Sequence, residues 1–191
     1  ARRSPPELKP INPNYLMLSI QGPLSARRAL RYFYENEAYR DLTNPRAIWL
    51  GLGAQKLGLT GPVTAPVFRN LAEGFTPDGA EKIALNAGRE DRSACWDLCF
   101  SAPKSFSIVW GLAAPELQAD LEDLHFRAVC AAVEHLESND ALARSCAAGL
   151  KPSDAGFIFA AQTEHSNRAD EPHLHTHVQM LNLALWPDGS A

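Results

Sequence analysis

The chain has 191 residues, 46% of them hydrophobic, which is enough for one compact domain with a hydrophobic core and too little for two. A formal net charge of −4 excludes a protein that is basic overall, so binding to nucleic acid would require a local cationic patch. No apolar run approaches the ~20 residues that span a bilayer, the N-terminus lacks the apolar core of a signal peptide, and the four cysteines form no Cys-x-x-Cys pair. We therefore expect a cytoplasmic protein with reduced cysteines.

The sequence pattern in the first half of the chain predicts few helices and strands. Residues 1–16 hold four prolines and little apolar material, which predicts a tail or linker ahead of one domain over 17–191. A strand is expected over 15–22, and Ser25 is placed to cap a helix that runs from Ala26 to residue 40. Glycine and proline punctuate 41–92, where we expect one short helix over 65–73.

The second half predicts an α+β fold. A strand over 94–102 is followed by a helix beginning after Pro103, and residues 115–138 have the apolar spacing of a long helix. Two apolar strands over 155–165 and 174–185 are joined by a polar loop, which predicts a β-hairpin. We expect a mostly antiparallel sheet with helices on one side.

Three histidines alternate along the last strand. His173, His175 and His177 share one face, but neighbours on a face are ~6.5–7 Å apart, so all three reach one ion poorly. His165 ends the preceding strand, and a hairpin would bring it beside His175 and His177. We therefore predict His165, His175 and His177 as ligands of one divalent metal ion, with His173 outside the set. A site with three ligands is open and suits catalysis.

Tyrosines and one carboxylate are candidates for chemistry beside this site. Tyr32 and Tyr39 lie two helical turns apart, and a tyrosine that attacks a phosphate forms a phosphotyrosyl ester that conserves the bond for religation. Asp97 lies in an otherwise apolar strand and needs a partner; it could orient a ligand histidine or take the tyrosine proton. His125 and His135 are read as ordinary surface or core-edge residues.

The candidates for binding DNA are basic residues. Lys104 opens a helix and could face a phosphate, and a cationic cluster lies on the tyrosine helix at Arg27, Arg28 and Arg31.

The motifs "MLSI", "RYFYENEAY", "GLGAQKLGLTGPV", "DLCFSAPKS" and "DEPHLHTH" follow one another in the order of a known family. On these residues, the chain resembles the N-terminal domain of the MobF conjugative relaxases (TrwC/TraI type), which are HUH endonucleases. The resemblance implies a central antiparallel palm, similar to an RNA-recognition motif, with the histidine strand in its middle and helices packed behind.

The resemblance also implies a function: strand-specific nicking and religation of single-stranded or hairpin DNA at an origin of transfer, in plasmid mobilisation. Tyr32 would be the first nucleophile and Tyr39 the second-cluster tyrosine, with Asp97 supporting the histidines. The ion would be Mg²⁺ or Mn²⁺, with Zn²⁺ as an alternative. A helicase domain or other relaxosome proteins would be partners.

The chain also departs from the family pattern. The family often doubles its tyrosines, whereas Phe33 follows Tyr32 and Arg40 follows Tyr39. The loop from His165 to His175 is one residue shorter than is common in the family. The chain ends at Ala191, inside the expected sheet, so we expect an incomplete relaxase domain truncated at its C-terminus.

Two other functions stay open. One is a non-catalytic, DNA-binding relaxase remnant. The other is a histidine-triad nucleotide hydrolase, whose His-x-His-x-His motif "HLHTHVQ" superficially matches, and in which a histidine is the nucleophile and no metal is needed.

Overall fold

A computed structural model describes residues 17–34, 47–140, 142–145, 149–152 and 155–186. The predicted tail or linker over 1–16 lies outside these residues, so the domain bounds stay a prediction. The strands are β1 (Leu18–Leu24), β2 (Ala47–Leu50), β3 (Cys95–Ser101), β4 (Leu142–Ser145), β5 (Gly149–Pro152), β6 (Gly156–Ser166) and β7 (Pro172–Leu185). The helices are α1 (Ala26–Tyr34), α2 (Leu52–Lys56), α3 (Ala65–Glu73), α4 (Lys104–Leu112) and α5 (Pro115–His135), and a π-helical turn, Leu136–Asp140, extends α5.

Most of the sequence-based elements are confirmed. The short helix over 65–73, the long helix and the β6–β7 hairpin all form, and the Ser25 hydroxyl accepts a hydrogen bond from the Arg28 N–H at 3.3 Å, as expected for a helix cap. The sequence did not predict β2, α2 or the small β4–β5 hairpin. These elements are only four or five residues long, too short for a periodic pattern to identify them.

A five-stranded antiparallel sheet organises the protein, in the order β1-β3-β7-β6-β2. The histidine strand β7 is therefore central, as expected from the family resemblance. The pairing of β7 with β3 places His177 opposite Cys99, and its pairing with β6 places His175 opposite Glu164. A register irregularity follows Glu164 in β6, just before the hairpin loop.

Helices cover both faces of the sheet, whereas the sequence predicted them on one side. On one face, Phe68 and Leu71 of α3 belong to a core with Leu181 of β7, and on the other face Val129 of α5 belongs to a core with Val178. The reason lies in β6 and β7, whose central residues are buried whichever way they point. A sheet that buries both faces needs cover on both.

A buried carboxylate joins three elements at one end of the sheet. Both oxygens of Glu137 lie 3.1 Å from the N–H of Leu52, and one of them accepts from the N–H of Phe157 at 2.6 Å. The end of α5 is thereby bonded to the starts of α2 and β6. Only glycine fits where α2 meets β6, because a Cβ on Gly53 would stand 2.5 Å from the carbonyl oxygen of Gly156.

We predict that Glu137→Ala lowers the free energy of unfolding by about 2–4 kcal/mol, because two backbone N–H groups lose their acceptor. Urea denaturation followed by circular dichroism measures this. Glu134→Ala is the matched control, since Glu134 lies on the same helix and is exposed. Equal stability of the two variants would contradict the prediction.

Candidate metal centre

The pairing of β3 with β7 assembles a group of metal-binding side chains. Side chains directly opposite on paired strands share a face, so Cys99 lies beside His177, with His175 one position further on that face. One ligand atom from each of these three residues lies within 4.8 Å of the other two. Within the described part of the chain, this is the one group of three donors close enough to hold a metal ion.

Asp97 fixes the orientation of His177. Its carboxylate oxygens lie 3.1 and 3.0 Å from Nδ1 of His177, and both side chains are buried. The Nδ1–H donates to the carboxylate, so Nε2 is the nitrogen on the side of the ring away from Asp97, an arrangement typical of metal-binding histidines. Burial lowers the pKa of His177, but hydrogen bonds to Asp97 and Cys99 and the charges of both outweigh it and raise the pKa to about 10. Metal binding would therefore release a proton.

His175 presents the same nitrogen. Its Nδ1 donates to the carbonyl oxygen of His173 at 2.8 Å, so Nε2 is again the atom left for a ligand. That Nε2 lies 3.4 Å from a carboxylate oxygen of Glu164. The His173 ring stacks on the His175 ring with centroids 4.6 Å apart, and His173 is not in the group of three donors.

The structure does not bring His165 to this group. Its ring stacks on Trp110 of α4 with centroids 4.9 Å apart, and its Nε2 lies 3.1 Å from Oε1 of Glu122 in α5. That contact lacks hydrogen-bond alignment, and the same oxygen accepts from the Trp110 indole N–H at 3.1 Å. Glu164 faces His175, so the next residue along the strand points to the opposite face. Ligation by His165 stays a prediction, and the third donor of the observed group is Cys99.

The sequence offered a signal for Cys99. Asp97 and Cys99 are two residues apart in β3, so a strand that turns the carboxylate toward the histidines turns the thiol toward them too.

The tyrosine helix lies on the face that carries the histidines. Ala29 of α1 belongs to the same core as Cys95 of β3, which shares a face with Asp97. Tyr32 is in α1, its side chain is not among those described, and Tyr39 lies outside the described residues. The roles of both tyrosines stay predictions.

The predicted basic contacts are all at the surface. Arg27, Arg28 and Arg31 are exposed on α1. Lys104, at the start of α4, donates to Glu171 at 3.0 Å and to the carbonyl of Pro172 at 3.3 Å, so it holds the hairpin loop.

His125 has a structural role behind the site. It was read as a surface or core-edge residue, but it is buried, and its Nε2 lies 3.0 Å from the hydroxyl of Thr176. That hydroxyl is 2.9 Å from the hydroxyl of Thr163. Burial lowers the pKa of His125, and the charge of His175 adds to this. A neutral His125 thus supports, from behind, the residue between the two metal-facing histidines.

Comparison with known proteins decides the family. The family model for the TrwC relaxase matches residues 26–191. The chain belongs to the TrwC relaxase family. It is 34% identical, over 169 residues, to the multifunctional conjugation protein TraI of Escherichia coli (strain K12), a match that covers 87% of this chain and 9% of TraI.

Solved TrwC relaxases share the fold. The metal-bound conjugative relaxase TrwC in complex with oriT DNA is 31% identical with a TM-score of 0.73, over 91% of this chain and 60% of that one. TrwC complexed with a 27-mer DNA comprising the recognition hairpin and the cleavage site is 28% identical with a TM-score of 0.70, over 91% and 58%. The predicted MobF-type relaxase fold is confirmed. Among the described helices, none is both long and apolar enough to cross a membrane.

We predict that Asp97→Asn weakens metal binding about 10- to 100-fold, because an amide no longer holds the Nδ1–H of His177 as firmly. Calorimetric titration of Mn²⁺ and of Zn²⁺ into the metal-free protein measures this. Asp120→Asn, an exposed change on α5, is the control. If Asp97→Asn bound both ions like the wild type, Asp97 would not orient a ligand.

Proposed function

We propose that this chain is a DNA relaxase domain, a single-strand endonuclease and transesterase that nicks and rejoins one strand at an origin of transfer. One observation carries the proposal: two buried imidazoles on the central strand of a relaxase fold, each with its Nδ1 held by an acceptor, lie with the thiol of Cys99 on β3 so that one ligand atom of each residue is within 4.8 Å of the others. Metal-bound and DNA-bound TrwC structures with this fold support it.

The donor set fits a divalent metal ion. The imidazole nitrogens of His175 and His177 and a cysteine thiolate are ordinary ligands for such an ion, and one ligand atom of each residue lies within 4.8 Å of the others. His175 and His177 would hold it, and Asp97 keeps the proton of His177 on the nitrogen that faces away. His165 could become a third histidine ligand only if its ring moved away from Trp110 to the face of the sheet that carries His175 and His177. When bound, the ion supplies charge that polarises a phosphate oxygen.

The tyrosine chemistry conserves the phosphodiester. The oxygen of Tyr32 would bond to the scissile phosphorus while the bond to the 3′ oxygen breaks. The tyrosine loses one proton and the released 3′-hydroxyl gains one, so no proton is consumed overall. The 5′ end stays linked to the enzyme, and the reverse step religates the strand. Tyr39 would serve a second cleavage.

The DNA would be a single strand or a hairpin. The net charge of −4 gives no general attraction, so affinity must come from a local cationic surface together with base stacking. The arginines of α1 supply that surface on the tyrosine helix. A helicase domain or other relaxosome proteins would act with this domain.

One observation favours the non-catalytic alternative. The ring of His165 is held by Trp110 and Glu122, away from the other histidines, as would suit a domain that binds DNA without cutting it. Membership of the relaxase family removes the histidine-triad hydrolase reading.

Covalent adduct formation tests the proposed function. The chain is incubated with single-stranded oligonucleotides that contain candidate origin sequences, with and without EDTA, and protein–DNA adducts are resolved on a denaturing gel. We predict that Tyr32→Phe abolishes the adduct because it removes only the attacking hydroxyl. Tyr34→Phe is the matched control on the same helix, and Tyr39→Phe leaves the first cleavage largely intact. A full-strength adduct with Tyr32→Phe would disprove the assignment, and no adduct with any sequence would favour the remnant.

DNA affinity tests the cationic surface. We predict that the wild type binds single strands more tightly than duplex. We also predict that Arg28→Gln makes the slope of log K against log salt concentration less negative by about 0.7 for single-strand binding, the value for one lost phosphate contact. Fluorescence anisotropy across a salt series measures both. Arg127→Gln is the control, because Arg127 is exposed on α5, which covers the opposite face of the sheet. Equal effects of the two variants would place the DNA elsewhere.

A further inference from the structure

Cys99 stands where an ion held by His175 and His177 would find its next ligand. Bonds of ~2.0–2.1 Å to nitrogen and ~2.3 Å to sulfur place the ligand atoms of a tetrahedral ion roughly 3.3–3.6 Å apart. The three candidate atoms lie within 4.8 Å of one another. Small side-chain adjustments close the difference.

The neighbouring side chains are less suited to this position. The carboxylate of Asp97 accepts the hydrogen bond from Nδ1 of His177, so it lies on the side of the ring away from Nε2. Cys95 lies on the same face but is fully buried in the core, where its thiol lies 3.8 Å from Oε1 of Gln179. Cys99 is half-buried, so its sulfur borders the site and can be reached by an ion from solvent.

A thiolate ligand changes which ions the site prefers. Mg²⁺ takes oxygen ligands in a near-ideal octahedron and retains most of its water. A set of two imidazoles and one thiolate instead suits Zn²⁺ and other thiophilic ions of low coordination number.

We infer that Cys99 ligates the metal ion together with His175 and His177, so that this relaxase domain uses a thiophilic ion such as Zn²⁺ and not Mg²⁺. The inference rests on the proposed metal-dependent function and names the ion and the third ligand of that same site. It replaces the Mg²⁺ or Mn²⁺ expected from the sequence.

Cobalt spectroscopy tests the inference without measuring activity. Co²⁺ is titrated into the metal-free chain under reducing conditions, and the absorption spectrum is recorded. A thiolate ligand produces a sulfur-to-cobalt charge-transfer band in the near ultraviolet. We expect this band in the wild type, and we expect Cys99→Ser to lose it and to bind Co²⁺ at least about 10-fold more weakly, whereas Cys130→Ser, the same change at a half-buried cysteine outside the site, keeps it.

Two further measurements sharpen the test. His165→Ala should keep the band and the Co²⁺ affinity, and a large excess of Mg²⁺ should not displace Co²⁺ from the wild type. Should Cys99→Ser fold poorly by circular dichroism, ¹¹³Cd NMR of the wild type reports sulfur ligation directly, with no substitution.

The outcomes separate this inference from the proposed function. A wild-type cobalt spectrum without the charge-transfer band, or Co²⁺ binding that is lost in His165→Ala and kept in Cys99→Ser, would overturn ligation by Cys99 and leave a metal-dependent relaxase standing. If the wild type bound neither Co²⁺ nor Zn²⁺ and formed no adduct with any origin sequence, both would fall, whereas an adduct unaffected by EDTA would overturn the inference and leave a metal-independent relaxase.

Discussion

The buried contact between Asp97 and His177 is the constraint on which the site depends. The two residues lie on adjacent antiparallel strands, and both oxygens of the carboxylate reach Nδ1 of the imidazole. Burying a carboxylate without a hydrogen-bonding partner costs free energy of folding. A buried imidazole can carry its proton on either ring nitrogen, and its hydrogen bond decides which. The imidazole N–H satisfies the carboxylate, and the carboxylate fixes the imidazole in one orientation, with Nδ1 toward Asp97 and Nε2 on the opposite side of the ring. Because this bond joins β3 to β7, it also fixes which residue of β3 stands beside His177, namely Cys99.

The two-residue repeat of the strands separates two polar systems on opposite sides of β7. His175 and His177 face the proposed metal site, while Thr176 between them faces α5 and meets His125. On the histidine face, His177 is bonded to the carboxylate of Asp97 and His175 to the carbonyl oxygen of His173, whereas the rear is bonded through hydroxyls and the imidazole of His125. A change behind the sheet can therefore move the histidine strand without touching a ligand. The rear network of His125, Thr176 and Thr163 packs directly behind the residue between the two histidines.

The periodicity of the sequence was sufficient to predict most helices and strands and part of the candidate site. The helix over 65–73, the hairpin and the partnership of Asp97 with a histidine follow from local patterns, because a lone carboxylate in an apolar strand must find a partner. The neighbour of His177 does not follow from local pattern. It depends on the register between β3 and β7, which lie far apart in the chain, and the register depends on packing of the whole sheet. The two-sided cover of the sheet was missed for a related reason, since the strands were treated as having one buried face.

The position of His165 follows from the alternation of side chains along β6. Along β6 and β7, Glu164 pairs with His175 and Thr163 with Thr176, so His165 follows on the face of Leu174, opposite the metal-facing side. A shift of one residue in the pairing of two antiparallel strands moves the side chains of one strand to the other face of the sheet. Lys104 and Asn167 donate hydrogen bonds to Glu171 in the loop between β6 and β7. The donor that lies beside His177 and His175 is instead Cys99, the residue of β3 that pairs with His177.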